Sequence, residues 1–277
     1  MDFAQFISNA FIEDIGDGDH TTLSTIPEDA IGKAKLIVKQ DGIIAGVDIA
    51  IQIFKQFDSK LQFDCYLADG VDVKEGDIAF EVSGSSRSIV TAERFVLNCM
   101  QRMSGIATTT NMYVQRLSGT KTKILDTRKT TPNFRYFEKL AVKIGGGENH
   151  RIGLYDMILI KDNHVDFAGG IEKAIDSVHL YLKEKGKNLK IEIEVRNLTE
   201  LAQVLNHGGV HRIMLDNYNF DDLRKAVEMI DGMYETEASG GITIENIREY
   251  ADCGVDFISV GALTHQIKSL DLSLKAI

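Results

Sequence analysis

The strongest constraint on the fold is a rhythm in the second half of the chain. Apolar, β-prone runs begin near residues 191, 213, 235 and 257, about every 22 residues. That interval accommodates one strand, one helix and two short loops. Two earlier runs, Ile124-Leu125 and Met157-Ile158-Leu159-Ile160, extend the series to six. Helical stretches fall between the runs, among them Leu198 to Asn206 and Asp221 to Ile230. Alternating strand and helix predicts parallel strands with outer helices, closed or nearly closed into a barrel.

The residues that end these runs carry the chemistry, because in a parallel barrel the C-terminal strand ends gather on one face, where active sites form. Here the endings read Asp126-Thr127-Arg128-Lys129, Lys161-Asp162-Asn163-His164, Glu194-Val195-Arg196-Asn197, Asp216-Asn217, Ser239-Gly240-Gly241 and Val260-Gly261-Ala262. The chain has a net charge of −10, yet Lys121 to Arg151 holds eight Lys/Arg against three acids. A cationic island in an acidic chain points to a pocket for a small, highly anionic ligand.

Within that pocket the residue types divide the work. Arg128 and Arg151 offer planar forks that suit carboxylates, whereas Lys129 and Lys161 are compact charges matched to phosphate oxygens. His150 adds a further donor, and His164 reads as a turn residue. Glu194 and Asp216 project over the same mouth. Carboxylates there accept from sugar hydroxyls, sit beside a Mg²⁺ that bridges a pyrophosphate, or stabilise an oxocarbenium ion. Salt bridges to the pocket cations are the plainer role for both. Ser239, Gly240 and Gly241, with Val260, Gly261 and Ala262, are small enough for backbone N–H groups to approach phosphate. Thr131-Pro132 reads as the start of a helix, with Phe134, Phe137, Leu140, Ala141 and Ile144 as its apolar stripe. Arg135 and Lys143 face away from that stripe and read as solvated. Gly145-Gly146-Gly147 ends the helix and turns the chain toward His150 and Arg151.

The first half follows a different pattern. Short β-prone runs such as Lys35-Leu36-Ile37-Val38-Lys39 are separated by Gly42, Gly46, Gly70, Gly76 and Gly84, which argues for antiparallel β-structure with helices. A helix is expected from about Ser88 to Met103. The acidic segment Glu13 to Thr21 lacks the bidentate acid of a calcium loop and reads as a capped turn. The expected domains are 1–105 and a barrel at 106–265, with the tail 266–277 packing back on the first. Three widely spaced cysteines without a C-x-x-C pair read as buried thiols in a reducing compartment, the cytoplasm. No run approaches the roughly 18 apolar residues of a membrane span. The acidic balance lacks the long basic stripe of a nucleic-acid surface.

These motifs resemble the quinolinate phosphoribosyltransferase family. The likeness runs through Glu13-Asp14 to Thr21, Leu97-Asn98 to Ala107, Thr127-Arg128-Lys129-Thr130-Thr131-Pro132 and the glycine triplet with Asn149-His150-Arg151. It continues through Lys161-Asp162-Asn163-His164, Glu194-Val195, Leu215-Asp216-Asn217, Glu237 to Gly241 and Ile258 to Ala262. The departures are Asn133, where glycine is common, and Glu148, where a small or apolar residue is usual.

The resemblance implies an N-terminal α/β sandwich joined to an open parallel α/β barrel of the type II phosphoribosyltransferase kind. It implies a homodimer, or a higher oligomer, in which Arg102 reaches the partner's substrate. Thr127, Arg128, Lys129, His150, Arg151, Lys161, Glu194, Asp216, Ser239 to Gly241 and Val260 to Ala262 are the implied substrate residues. Lys129, Lys161, Glu194 and Asp216 stand closest to the chemistry. The implied reaction joins quinolinate to phosphoribosyl pyrophosphate, with Mg²⁺ held mainly by the pyrophosphate. Nicotinate mononucleotide, pyrophosphate and CO₂ are its products. Two alternatives are a related barrel protein of the molybdenum-transport family and a Schiff-base lyase with Lys161 as nucleophile.

Overall fold

The structure, a computed structural model, describes residues 3–277. The chain begins α1 (Phe3–Ile15), α2 (His20–Thr25), β1 (Ile31–Val38), β2 (Gly42–Ile43), α3 (Val47–Phe57), β3 (Gln62–Cys65), β4 (Asp72–Val73), β5 (Ile78–Ser85) and α4 (Ser86–Arg116). It continues β6 (Lys123–Leu125), α5 (Arg135–Ile144), β7 (Ile158–Ile160), α6 (Asp162–Ala168), α7 (Ile171–Lys185), β8 (Ile191–Val195) and α8 (Leu198–His207). Last come β9 (Arg212–Asp216), α9 (Phe220–Ile230), β10 (Glu235–Ser239), α10 (Ile247–Asp252), β11 (Phe257–Ser259), α11 (Ala262–His265) and β12 (Leu272–Ala276). Two compact units result: Met1–Asn111, Thr130–Gly146 and Leu263–Ile277 form one, Met112–Lys129 and Gly147–Ala262 the other.

The first unit is built on an antiparallel sheet of order β12-β1-β5-β3. Alternation along β1 buries Ala34, Leu36 and Val38; Leu36 pairs with Phe80 and Ala34 with Val82 of β5, and the Phe80 ring stands 6.5 Å from that of Phe54 in α3. The C-terminal strand β12 is the sheet's outer partner of β1, with Leu36 opposite Leu274. A second apolar cluster sets Phe6 4.8 Å and Phe134 4.7 Å from Phe137, centroid to centroid. Those rings anchor α5.

Three expectations for this unit need correction. The helix expected to stop at Met103 runs on to Arg116. Tertiary contacts override the weak helix propensity of the threonine run. A Cβ on Gly105 would come within 2.3 Å of the Lys268 carbonyl oxygen, while Ser104 and Thr108 hydroxyls accept from the Ala45 and Ile43 amides at 2.9 Å. Second, α5 starts at Arg135 and not at Thr131-Pro132. Asn133 takes a left-handed φ of 62° and breaks the helix there. Third, Cys65 is exposed, although Cys99 and Cys253 are buried. The acidic segment is a capped turn as read: the Asp19 carboxylate accepts from Thr22 N at 3.0 Å and caps α2.

The second unit is a six-stranded parallel sheet of order β6-β11-β10-β9-β8-β7. Strands β7 to β11 lie side by side in chain order and β6 joins β11, so the order is cyclic with one pair missing. Among the described residues, only a bridge between Leu125 and Glu148 is recorded beside the β6 edge. The barrel is open. Ile191, Ile193 and Val195 of β8 are buried on one face, and Glu192 and Glu194 are buried on the opposite face. Within this unit no water-facing side of β8 exists.

Candidate active site

The end of β6 is tied to the segment before β7 by Asp126, which is fully buried. Its carboxylate accepts from the His150 amide at 2.9 Å and from the Asn149 side chain. That clasp fixes the segment Asn149-His150-Arg151 beside Thr127-Arg128-Lys129. Thr127 closes its own turn, its hydroxyl accepting from Lys129 N at 3.1 Å. Arg151 is half-buried and donates to the Met157 carbonyl at 3.3 Å. Burial lowers its pKa, and the positive charge of Arg128 lowers it further. An arginine stays charged under such a shift, so the two guanidinium groups make a doubly positive corner.

The next strand ends carry a cation and two acids. Lys161, at the end of β7, sets its Nζ 4.0 Å from Glu194 Oε2. Burial raises the pKa of Glu194, and the charge of Asp216 raises it again while Lys161 opposes. Burial likewise raises Asp216, against the Asn217 hydrogen bond and the charges of Lys161 and Lys129. Lys161 acts on both acids and Lys129 on Asp216, which places Lys129, Lys161, Glu194 and Asp216 in one electrostatic neighbourhood. His164 is a turn residue: its Nδ1 accepts from Lys161 N at 2.8 Å where α6 begins.

Strands β10 and β11 are paired neighbours and end in small residues. The Ser239 carbonyl accepts from Asn217 N at 2.8 Å. Gly240 and Gly241 follow at φ of +94° and +61°, a region that favours glycine. Val260 N donates to the Leu125 carbonyl at 3.0 Å, and Gly261 and Ala262 complete the rim.

Beneath this rim the barrel interior is charged. His150 Nδ1 accepts from the Arg151 amide at 2.7 Å, so the ring hydrogen is assigned to Nε2. Nε2 lies 2.9 Å from Glu192 Oε2 and 3.5 Å from Glu237 Oε2. Glu237 in turn accepts from Arg212 Nη1 at 3.0 Å, and Arg212 also reaches Glu235 while stacking 4.0 Å from the Phe257 ring centroid. Burial pushes Glu192 up to about 7 and Glu237 up to about 8, and the charge of Glu192 adds to the rise at Glu237. His150, Glu192 and Glu237 place one donor atom each within 4.8 Å of one another. The trio does not fit a metal ion, because the assigned Nε2 hydrogen blocks ligation and Arg212 already balances Glu237. His150 was expected to add a donor for the ligand; the structure sets its Nε2 beside Glu192 and Glu237.

Arg102 belongs to the other unit. Its guanidinium pairs with the buried Glu138 at 2.6 Å and donates to the Thr131 hydroxyl and the Thr264 carbonyl, each at 3.0 Å.

The family profile "Quinolinate phosphoribosyl transferase, C-terminal domain" matches residues 106–275, and its N-terminal counterpart matches residues 19–104. The chain belongs to this family. A chloroplastic nicotinate-nucleotide pyrophosphorylase (carboxylating) of Arabidopsis thaliana is 46% identical, over 99% of this chain and 82% of that protein. A probable nicotinate-nucleotide pyrophosphorylase (carboxylating) of Bacillus subtilis is 39% identical, over 99% of this chain and 93% of that one. The solved structure of the nicotinate-nucleotide pyrophosphorylase from Francisella tularensis superposes with a TM-score of 0.92 at 42% identity, covering 99% and 96%. Quinolinate phosphoribosyltransferase membership displaces the molybdenum-transport and Schiff-base readings.

Sequence reasoning passed over Asp126 as a clasp, and Glu192, Arg212 and Glu237 as a charged interior. A signal existed in Ile191-Glu192-Ile193-Glu194-Val195. Period-two alternation puts Glu192 on the same face as Glu194, so one acid at a barrel mouth implies the other deeper inside.

Proposed function

We infer that this quinolinate phosphoribosyltransferase transfers the phosphoribosyl group of phosphoribosyl pyrophosphate to quinolinate, in NAD biosynthesis. The observation that carries the reading is the doubly positive corner of Arg128 and Arg151 next to a separate cluster of Lys129, Lys161, Glu194 and Asp216. The corner receives the two quinolinate carboxylates. Lys129 and Lys161 offset phosphate and carboxylate charge, and Glu194 and Asp216 accept from ribose hydroxyls. The segments Ser239 to Gly241 and Val260 to Ala262 line the phosphate side, and Thr127 supports the turn that presents Arg128.

Two polyanions repel each other in water, and a preorganised cationic site removes much of that cost. The pyridine nitrogen lone pair attacks the anomeric carbon as its bond to pyrophosphate oxygen breaks, and pyrophosphate keeps the electron pair. The product is an N-ribosyl pyridinium. Its C2–carboxylate bond then breaks, CO₂ leaves, and the electron pair stays on C2 beside the positive nitrogen until a proton from water replaces it. Mg²⁺ would be held mainly by the pyrophosphate oxygens, with Glu194 and Asp216 nearby, and would supply positive charge to the leaving group. The rim accommodates such a guest, because a cation-bearing ligand relieves the mutual repulsion of Glu194 and Asp216.

The working form is a homodimer in which Arg102 reaches the partner's substrate. The buried Glu138 that grips Arg102 supports a fixed presentation of its head group. Domain limits near residues 105 and 265 mark off the barrel, although Thr130–Gly146 groups with the N-terminal unit. No helix among the described residues is long and apolar enough to cross a membrane, and three free thiols favour a reducing compartment such as the cytoplasm. Incubation with carboxyl-labelled quinolinate, phosphoribosyl pyrophosphate and Mg²⁺ should release labelled CO₂ and give nicotinate mononucleotide. Turnover of nicotinate but not quinolinate would reject the reading.

A further inference from the structure

The barrel interior holds a chain of contacts that the reaction scheme leaves unused. From below upward it runs Glu235, Arg212, Glu237 and Glu192, His150, and then the Arg151 backbone. The contacts are Arg212 to Glu235 and to Glu237 at 3.0 Å, His150 Nε2 to Glu192 at 2.9 Å and to Glu237 at 3.5 Å, and Arg151 N to His150 Nδ1 at 2.7 Å. Glu192 and Glu237 are fully buried and His150 is 8% exposed. Asp126 grips the same segment from the other side through the His150 amide.

We propose that Glu192 and Glu237 are positioning residues for quinolinate binding, acting through the His150 ring to hold the backbone that presents Arg151. The proposal rests on the reading of Arg128 and Arg151 as the carboxylate clamp. An imidazole has two nitrogens, and its orientation here is set at both. The Arg151 amide donates to Nδ1, which puts the ring hydrogen on Nε2, facing the Glu192 carboxyl at an ion-pair distance of 2.9 Å. Without Glu192 the buried Nε2–H loses the carboxyl that stands 2.9 Å away, a loss that favours turning the ring. A turned ring releases the Arg151 amide and frees its guanidinium from the corner it shares with Arg128. The effect is selective, since the Lys161 and Asp216 ends of β7 and β9 do not hang on this histidine. Arg212 completes the device by pinning Glu237, so that Oε2 stays toward the ring rather than relaxing away.

The test uses the full-length enzyme with four variants: Glu192→Leu, Glu192→Gln, Glu237→Gln and Arg151→Ala. Glu192→Leu should raise the KM for quinolinate tenfold or more while the KM for phosphoribosyl pyrophosphate stays within twofold. Glu192→Gln and Glu237→Gln retain an acceptor oxygen and should stay within threefold of wild type for both substrates. Nitrogen-15 NMR of histidine-labelled wild-type enzyme near neutral pH should show a His150 ring protonated on Nε2 and bare on Nδ1. This measurement stands even where Glu192→Leu fails to fold. An Nδ1-protonated ring, an unchanged quinolinate KM in Glu192→Leu, or an equal rise for both substrates overturns the proposal. Arg151→Ala separates the two claims: if it leaves the quinolinate KM unchanged, the clamp reading itself is wrong. If it raises that KM while Glu192→Leu does not, only the positioning role is lost.

Discussion

Gly240→Ala tests the packing of the rim with a single methyl group. At Gly240 the backbone has φ +94°, and an added Cβ would stand 2.2 Å from Asn217 Oδ1, 2.5 Å from Cγ and 3.0 Å from the Asn217 backbone nitrogen. The backbone cannot retreat easily, because Asn217 N donates to the Ser239 carbonyl at 2.8 Å. Asn217 is already at a positive φ of 56°. What can move is its side chain, which donates to Asp216 Oδ2 at 2.6 Å. The methyl group therefore costs about 1–2 kcal/mol of left-handed strain and about 1.5 kcal/mol for the hydrogen bond to a carboxylate. The sum is roughly 2–4 kcal/mol, which lowers Tm by about 3–7 °C in a chain of this size. Asp216 loses the bond that favours its ionised form, so kcat/KM should fall about tenfold or more. Gly241→Ala is the internal control. Its φ is +61° with nothing within 4 Å of an added Cβ, so it bears the strain alone. Thermal melting and steady-state kinetics on both variants decide the matter. If Gly240→Ala melts no lower than Gly241→Ala and keeps wild-type kcat/KM, the reasoning about Asn217 is wrong.

Other outcomes follow from the same geometry. Arg128→Ala and Arg151→Ala should each raise the quinolinate KM by roughly 10- to 150-fold, from about 1.5–3 kcal/mol per charged hydrogen-bonding fork; equal loss for phosphoribosyl pyrophosphate would count against the clamp. Arg102→Ala mixed with Lys161→Ala should regain about a quarter of wild-type activity once subunits exchange, because half of the dimers then hold one intact site. Silence after confirmed exchange removes the cross-subunit role. Thiol titration of the native protein should modify Cys65 alone, since Cys253 is buried and burial pushes the Cys99 thiol up to about 12; unfolding should expose all three. The folded-state pKa values of Glu192 and Glu237, about 7 and about 8, exceed the ordinary 4.5. Between pH 4.5 and 8 the folded state therefore binds more protons, and stability falls as pH rises. Denaturant midpoints across that range should show a flatter decline in Glu237→Gln.

The parallel half of the fold was legible because its strands are short, regularly spaced and bounded by polar endings. The runs near 191, 213, 235 and 257 coincide with β8 to β11 to within one residue. Periodicity of that kind survives in one sequence because each βα unit is local. The long helix α4 was legible only in part. What carries it past Met103 is contact with Lys268, Ala45 and Ile43, partners between 59 and 163 residues away along the chain, which no local pattern encodes. The start of α5 was misplaced for a comparable reason: Thr131-Pro132 is a valid start signal, yet Asn133 turned left-handed and Phe134 docked on Phe137. At the rim, residue type and strand position named the cations but not the direction of the His150 ring. Ring direction depends on which acids lie below it.

That last point bears on how the charged interior should be understood. A strand reading Ile-Glu-Ile-Glu-Val normally has one side in water, and its glutamates need no partner. In a barrel the second side is interior, so the same alternation buries Glu192 beside Glu237 at the level of Arg212. Two ionised carboxylates so close, with one guanidinium between them and the lower acid Glu235, would leave net negative charge under an anion-binding rim. Raised pKa values resolve the conflict, since a pair that retains a proton near neutrality adds less repulsion to the guest above. The interior then does two things with one set of atoms: it keeps the floor close to neutral and it sets the tautomer of the histidine that braces Arg151. An apolar floor would meet the first need as well or better, with less desolvation cost. It could not meet the second, because no hydrocarbon accepts a hydrogen from Nε2.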